Sequence, residues 1–235
     1  MRPADHHTQT RAWSYVIAAL FISLSLSAQS FVADRDLLNA YLSNDMSVWK
    51  AYIDTAVVTP HLLAYEYGYC GALLESDKEK AAPYVEQFCR HVDQLKNQLP
   101  AGHWQMYLSA LYVYELRLHK SFHPVKAMSL AKEAVEYAPQ DPMTRTYYGT
   151  SLFYAPSPFG NKTDALEQFQ RAAELFKDPK WQNCWWKPAA LMYIAQCYDK
   201  KGKTAEAINR AKALLEEYPD FIYIRDEYLP HLILQ

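Results

Sequence analysis

The sequence contains few residues whose types and spacing could carry out catalysis. His119 and His123 are four residues apart, a spacing that could hold a metal ion on a helix, but Pro124 breaks any helix there. The acidic pairs Glu216–Glu217 and Asp226–Glu227 are adjacent, so their carboxylates point about 100° apart on a helix. The sequence has no nucleophile-elbow, zinc-protease or phosphate-loop motif. We therefore expect a protein that is not an enzyme, with no catalytic residue, metal site or cofactor.

The segment Asn161-Lys162-Thr163 has two interpretations. It matches a glycosylation acceptor. Asn161 or Thr163 could instead cap a helix, with Asp164 favoured near the positive helix start. We favour the cap, because the amphipathic stretch DALEQFQRA follows directly.

Composition favours a helical protein with a substantial core. Half of the 235 residues are hydrophobic, and 6 glycines stand against 13 prolines. A sheet protein with many tight turns would usually need more glycine. The formal net charge is -2, so there is no basic excess to neutralise phosphates, and we expect no nucleic-acid binding.

The N-terminus has the pattern of an export signal. Arg11 precedes the apolar run AWSYVIAALFISLSLSA, which is short for a membrane span and ends in small residues. We predict a signal peptide over residues 1–28, with cleavage near Ala28, and export to the periplasm or cell envelope. The alternative is an uncleaved signal anchor, which would be the protein's one contact with a membrane.

The four cysteines are predicted to be unpaired. Cys184 and Cys197 are expected at opposite ends of one helix, about 20 Å apart, whereas a disulfide needs Cα atoms within about 7 Å. Cys70 and Cys89 flank a predicted turn at unequal distances and miss each other by about 9 Å. We therefore interpret all four as small buried hydrophobic residues.

A helix-turn-helix repeat is clearest near the C-terminus, in PAALMYIAQCYDKKGKTAEAINRAKALLEEYPD, residues 188–220. Ala195, Ala207 and Pro219 follow one another at intervals of 12 residues. This pattern resembles the tetratricopeptide repeat, a 34-residue unit with small residues at positions 8, 20 and 27 and proline at 32. Leu214 at position 27 and Leu191 at position 4 depart from it.

The second-helix signature of this unit occurs four times. Each copy has an alanine followed by small or apolar residues four and seven positions later. The copies are Ala81/Val85/Phe88, Ala127/Ala131/Ala134, Ala165/Phe169/Ala172 and Ala207/Ala211/Leu214. The resemblance implies an all-α, right-handed superhelical solenoid of about four repeats over residues 60–220. Residues 29–59 and 221–235 are predicted to be capping helices, which cover the terminal apolar faces of a repeat array.

The repeats are longer than the ideal, and the extra residues can be located. The marker alanines are 46, 38 and 42 residues apart rather than 34. Two excesses fall in turns within repeats, around HKSFHP and APSPFG, which should place Phe122 and Phe159 on one rim. The third falls in the connection KDPKWQNCWW, on the opposite edge. Its tryptophans, Trp181, Trp185 and Trp186, either plug a gap between helices or form an aromatic contact surface.

First helices line the concave face in this family, and here their inward positions are rich in aromatic residues. We predict that this face and its rim bind a protein or peptide partner. The candidate residues are Tyr65, Tyr69, Trp104, Tyr107, Tyr114, Phe153 and Phe159. These rings could instead pack against the capping helices.

A second function remains open, in which the protein handles a small apolar ligand. The stretch SPFGNKTDALEQFQRA resembles part of the repeat-containing accessory component of certain periplasmic solute transporters. That family often has two glycines and an aspartate there, whereas this chain has Gly160 followed by Asn161.

Overall fold

The computed structural model describes residues 34–121 and 123–234, and within these ranges every regular element is a helix. The predicted signal peptide over residues 1–28 lies outside the described residues. The α-helices are α1 (34–42), α2 (Met46–Thr55), α3 (Pro60–Ser76), α4 (Lys78–Leu95), α5 (His103–Arg117), α6 (Pro124–Tyr137), α7 (Pro142–Tyr154), α8 (Lys162–Leu175), α9 (Trp186–Lys200), α10 (Thr204–Glu217) and α11 (Leu229–Ile233). A short 3₁₀ turn, Pro179–Trp181, precedes α9, and a π-helix, Tyr223–Tyr228, leads into α11.

Helices α3 to α10 pack as four consecutive pairs, α3 with α4, α5 with α6, α7 with α8, and α9 with α10. Each pair also packs against the next one. This arrangement confirms the predicted all-α helical-repeat fold. Helices α1 and α2 precede the first pair, and the π-helix and α11 follow the last. None of the helices in the described part of the chain is long and apolar enough to cross a membrane.

Small residues allow the two helices of a pair to approach closely. The four marker alanines, Ala81, Ala127, Ala165 and Ala207, are all buried. Gly149 on α7 also allows close approach of α8, because a Cβ atom there would lie 2.8 Å from the ring of Phe169 on α8. The sequence signature therefore marks the contact between the two helices of each repeat.

Capping residues set the starts of several helices. Thr59, Asp77 and Asp141 each accept a backbone hydrogen bond at the start of α3, α4 and α7. Asn161 accepts from the backbone N–H groups of Thr163 and Asp164 and starts α8. The prediction that Asn161 belongs to a helix cap is confirmed.

The cysteines differ from the prediction in the position of Cys184 and in the partial exposure of Cys89 and Cys184. Cys184 lies in the turn before α9 rather than on the helix that carries Cys197, because the connection continues as far as Trp185. All four thiols are free, with Cys70 and Cys197 buried and Cys89 and Cys184 partly exposed. Burial raises the pKa of Cys197 to about 12.

The array curls until its first and last repeats touch. Tyr67 on α3 stacks on Trp186 at the start of α9, with ring centroids 4.9 Å apart and planes within 8°. Beyond the repeats, Tyr41 on α1 lies 5.5 Å from Phe221, which precedes the π-helix. Repeats in a regular solenoid contact only their neighbours, so these long-range ring contacts set this chain apart.

Helix α2 packs closely against α3 where the ring of Trp49 meets Gly68. Trp49 is fully buried, and its indole N–H donates to the backbone carbonyl of Leu37 on α1 at 2.7 Å. A Cβ atom on Gly68 would overlap the ring of Trp49. On the same helix, a Cβ on Gly71 would make only ordinary contact, 3.4 Å from the Tyr114 hydroxyl.

These contacts predict opposite outcomes for two matched substitutions. Gly68→Ala should lower the free energy of unfolding by about 1–3 kcal/mol, because the buried Trp49 ring has no room to move. Gly71→Ala should leave it unchanged or raise it, because alanine favours a helix over glycine by up to about 1 kcal/mol. Urea denaturation followed by circular dichroism measures both, and equal effects would contradict the packing described here.

One carboxylate is buried between α3 and α4. Glu66 is 2% exposed and receives hydrogen bonds at one oxygen from Gln87 (2.9 Å) and the ring nitrogen Nδ1 of His91 (2.8 Å). Its other oxygen, Oε2, is buried without a partner. Desolvation raises the pKa of Glu66, and the hydrogen bonds from Gln87 and His91 oppose that rise only in part.

The raised pKa predicts a dependence of stability on pH. Between the ordinary pKa of about 4.5 and the higher folded value, the native state binds a proton that the unfolded state has released. The contribution of Glu66 to stability therefore falls as pH rises through its folded pKa, by about 1.4 kcal/mol for each pH unit between the two values. Glu66→Gln, which does not titrate, should gain stability relative to the parent as pH rises from the ordinary pKa of Glu66 to its folded-state pKa. Parallel pH profiles in urea denaturation would contradict this.

Candidate partner-binding groove

The concave side of the array encloses a cavity of about 780 Å³. We call it the concave groove. Its walls come from the first helices of all four repeats, α3, α5, α7 and α9, together with residues before and after the array. The groove thus requires the whole curled array rather than any single repeat. The volume falls within the usual range for binding pockets, about 300–1,000 Å³.

Stacked aromatic rings form the floor of the groove. Tyr67 lies between Trp186 on one side and Tyr114 on α5, whose ring centroid is 5.9 Å away. The Tyr114 hydroxyl donates to the backbone carbonyl of Tyr67 at 2.6 Å. Trp185 packs beside Trp186 at 4.6 Å. Tyr67 and Trp186 therefore each contact at least two other rings of this stack.

Six tyrosine side chains from six separate segments line the groove. They are Tyr41, Tyr67, Tyr114, Tyr154, Tyr193 and Tyr223. Burial raises the pKa values of Tyr41, Tyr67 and Tyr193 well above the usual range, and other tyrosines of this set raise them further. These three hydroxyls therefore stay protonated at neutral pH and can both donate and accept hydrogen bonds.

The charged side chains of the groove lie at its ends. Arg117 forms an ion pair with Glu75, Nη1 to Oε1 at 2.7 Å, and also donates to the backbone carbonyl of Leu74. Glu227 lies at the C-terminal end. Between them, Thr146, Thr150 and Gln196 contribute uncharged polar groups.

Most of the predicted partner-binding residues lie in the helical core. Tyr65, Tyr69, Tyr107, Tyr114 and Phe153 are all buried, and of these Tyr114 also lines the concave groove. Tyr65 is covered by Trp49 and Tyr52 of α2, at ring centroid distances of 5.2 and 5.4 Å. This is the alternative in which a capping helix covers the rings. Tyr107 on α5 packs edge-on against Phe88 of α4, so it faces the preceding repeat.

The remaining predicted residues lie near the surface. Trp104 is half-buried, with the Lys96 ammonium 4.4 Å above its ring. Phe159 is 46% exposed in the extended turn after α7, but it lines neither of the two cavities described here. Its proposed neighbour Phe122 lies outside the described residues. Tyr154, the last residue of α7, is the aromatic side chain that this end of the repeat contributes to the groove.

Part of the predicted inward face lines the groove. In the repeat that the sequence resembles, the inward positions of the first helix are 2, 5, 9 and 12, and the residues there that line the groove are Ala72, Tyr114, Thr146, Thr150, Ala189, Met192 and Gln196. In α3 and α5 it is the last of these positions, Ala72 and Tyr114, that lines the groove. Helix α2 covers Tyr65 on α3, and Tyr67 and Arg117 line the groove beside Ala72 and Tyr114.

A second cavity, of about 620 Å³, lies on the opposite edge and is called the edge cavity here. It is formed by the starts of α3, α5 and α7 and by the long connection, residues 179–186. Two histidine–carboxylate pairs flank it, His61 with Asp34 (2.7 Å) and His103 with Asp141 (3.1 Å). Within the described residues, no cluster of three or more His, Cys, Asp or Glu side chains is arranged to hold a metal ion.

The long connection separates the two cavities. Trp185 and Trp186 line both of them and are almost completely buried. They plug the centre of the array, which was one of the two interpretations of this tryptophan cluster. Trp181 remains half-buried at the edge and packs edge-on against Phe176.

Comparison with protein families identifies the last repeat. Residues 189–220, which span most of α9 and all of α10, match the tetratricopeptide repeat. The chain therefore contains a tetratricopeptide repeat at these residues. Tetratricopeptide repeats generally mediate protein interactions, and their family is typically made of non-enzymatic scaffolds. A search of curated proteins found no match.

The central tryptophan predicts a large effect on stability. Trp186→Ala should lower the free energy of unfolding by about 3–5 kcal/mol, because it removes a buried ring from the contact between the first and last repeats. Trp181→Ala is the matched control, and its loss should be clearly smaller because its ring is half exposed. Equal losses of unfolding free energy for the two variants in urea denaturation would show that the contact between the first and last repeats contributes no more than a half-exposed ring.

Proposed function

We propose that this protein binds an extended segment of a partner protein in the concave groove. The observation that carries the proposal is the convergence of six tyrosines on one cavity. Tyrosine combines a large rigid surface with a hydroxyl that can pair with peptide N–H and C=O groups. An extended peptide presents such groups along its whole length.

The exposure of the groove supports a macromolecular partner. Tyr154 at the rim is 66% exposed, and Val113 beside the groove is also exposed. Exposed aromatic and aliphatic side chains next to a concave surface are typical of protein-binding sites. The tetratricopeptide repeat agrees with this use.

We also propose that the protein has no catalytic activity and is exported to the periplasm or cell envelope. The scaffold role typical of the family supports the first part. The apolar run after Arg11 supports the second. Comparing the N-terminal residue of the purified envelope form with Gln29 tests the export proposal.

A photo-crosslinking experiment tests the groove. A benzophenone side chain replaces Tyr154 in one variant and Tyr137 in the other, since Tyr137 on α6 is 62% exposed but does not line the groove. Partner crosslinks should form from position 154 and not from position 137. Tyr154→Ala should weaken capture of that partner at least tenfold, whereas Tyr137→Ala should change it less than twofold.

Two outcomes would contradict the proposal. Equal crosslinking from both positions would place the partner elsewhere. A small apolar molecule that co-purifies with the parent protein, seen by native mass spectrometry and lost in the Tyr154→Ala variant, would favour the alternative of an accessory ligand-binding component of a solute transporter.

A further inference from the structure

The side chains that line the groove carry an excess of negative charge. Arg117 is the cationic residue among the described residues that line it, and its guanidinium is already paired with Glu75 and hydrogen-bonded to a backbone carbonyl. Glu227, in contrast, is exposed and forms no ion pair with any residue that the structure describes. An anionic group entering the groove would find no unpaired cation in that wall.

A second carboxylate, that of Asp199, adds negative charge near the C-terminal end of the groove. Asp199 on α9 is partly buried and forms no ion pair within the described part of the chain. It lies close enough to Tyr223 and Tyr228 to contribute, after burial, to the rise in their pKa values. Glu227 acts on Tyr223 in the same way. Two carboxylates without basic partners therefore flank Tyr223.

Tyrosine rings surround the space beside these carboxylates. Tyr154 and Tyr193 meet at 88° with centroids 6.1 Å apart, and their hydroxyl oxygens are 3.5 Å apart. Tyr223 stacks on Tyr228 at 6.1 Å and receives a hydrogen bond from Gln196 at 3.4 Å. We call Tyr154, Tyr193 and Tyr223 the tyrosine cluster.

Aromatic faces and neutral hydroxyl oxygens favour the binding of cationic groups. A cation within about 6 Å of a ring centroid is attracted by the negative face of the ring, by about 0.5–2 kcal/mol according to its solvation. Neutral phenols can also accept hydrogen bonds from ammonium or guanidinium N–H groups. The nearby carboxylates strengthen this preference by direct attraction.

We propose that the partner segment carries a lysine or arginine whose cationic head enters the tyrosine cluster next to Glu227. This inference rests on the proposed function, because it specifies the chemistry of the segment that the groove binds. The aliphatic stem of that residue packs along the aromatic floor. Segments rich in acidic residues are rejected.

The test selects 12-residue peptides from a random displayed library on the immobilised full-length protein. Binders whose retention depends on Tyr154 should be enriched in lysine or arginine at one shared position. In a synthetic copy of such a peptide, replacing that lysine with norleucine keeps the stem and removes the charge. This change should weaken binding about tenfold in calorimetry.

A double-mutant cycle assigns the effect to the groove. Glu227→Gln should weaken the lysine peptide about three- to tenfold and leave the norleucine peptide unchanged. Glu216→Gln, which alters an exposed carboxylate of α10 outside the groove, should leave both unchanged. Equal effects of Glu216→Gln and Glu227→Gln would overturn the inference, since general charge attraction would explain them.

The remaining outcomes separate this inference from the proposed function. Peptides that bind only when Tyr154 is present, but show no basic residue or bind equally well with norleucine, overturn the inference and leave the peptide-binding function intact. A library that yields no Tyr154-dependent peptide overturns both.

Discussion

The stack of Tyr67 on Trp186 is the contact on which the rest of the molecule depends. It joins the first repeat to the last across the inside of the curve, with ring planes within 8°. A solenoid built only from neighbouring contacts would leave its concave side open. Here Trp185 and Trp186, at the end of the connection before α9, are buried inside the curve and contact Tyr67 on the first repeat.

These two central tryptophans, Trp185 and Trp186, also separate the two cavities of the molecule. Trp185 and Trp186 divide the interior into the concave groove and the edge cavity. The two spaces differ in chemistry, because tyrosine hydroxyls line one and histidine–carboxylate pairs flank the other. A single connection of about ten residues therefore produces two separate environments from one repeated helix pair.

The helical repeat could be predicted from the sequence because it depends on local, periodic features. Ala81, Ala127, Ala165 and Ala207 each lie where their helix must approach a partner, and Asn161 carries its own capping chemistry. The groove residues could not be predicted in the same way. Whether Tyr65 or Tyr67 faces the groove depends on the position of α2, a long-range packing choice that leaves no periodic signal. One groove residue did leave a signal in the sequence, because Tyr154 ends α7 directly before the extended turn.

The contact of Tyr41 with Phe221 has a consequence for how the molecule unfolds. A linear repeat array frays from its two ends, because each terminal unit has one neighbour fewer than the others. Joining the ends removes that weakness and makes the array behave like a closed chain of units. Loss of any one repeat then disturbs both of its neighbours and the contact between Tyr41 and Phe221. The whole array is therefore expected to unfold in one cooperative transition.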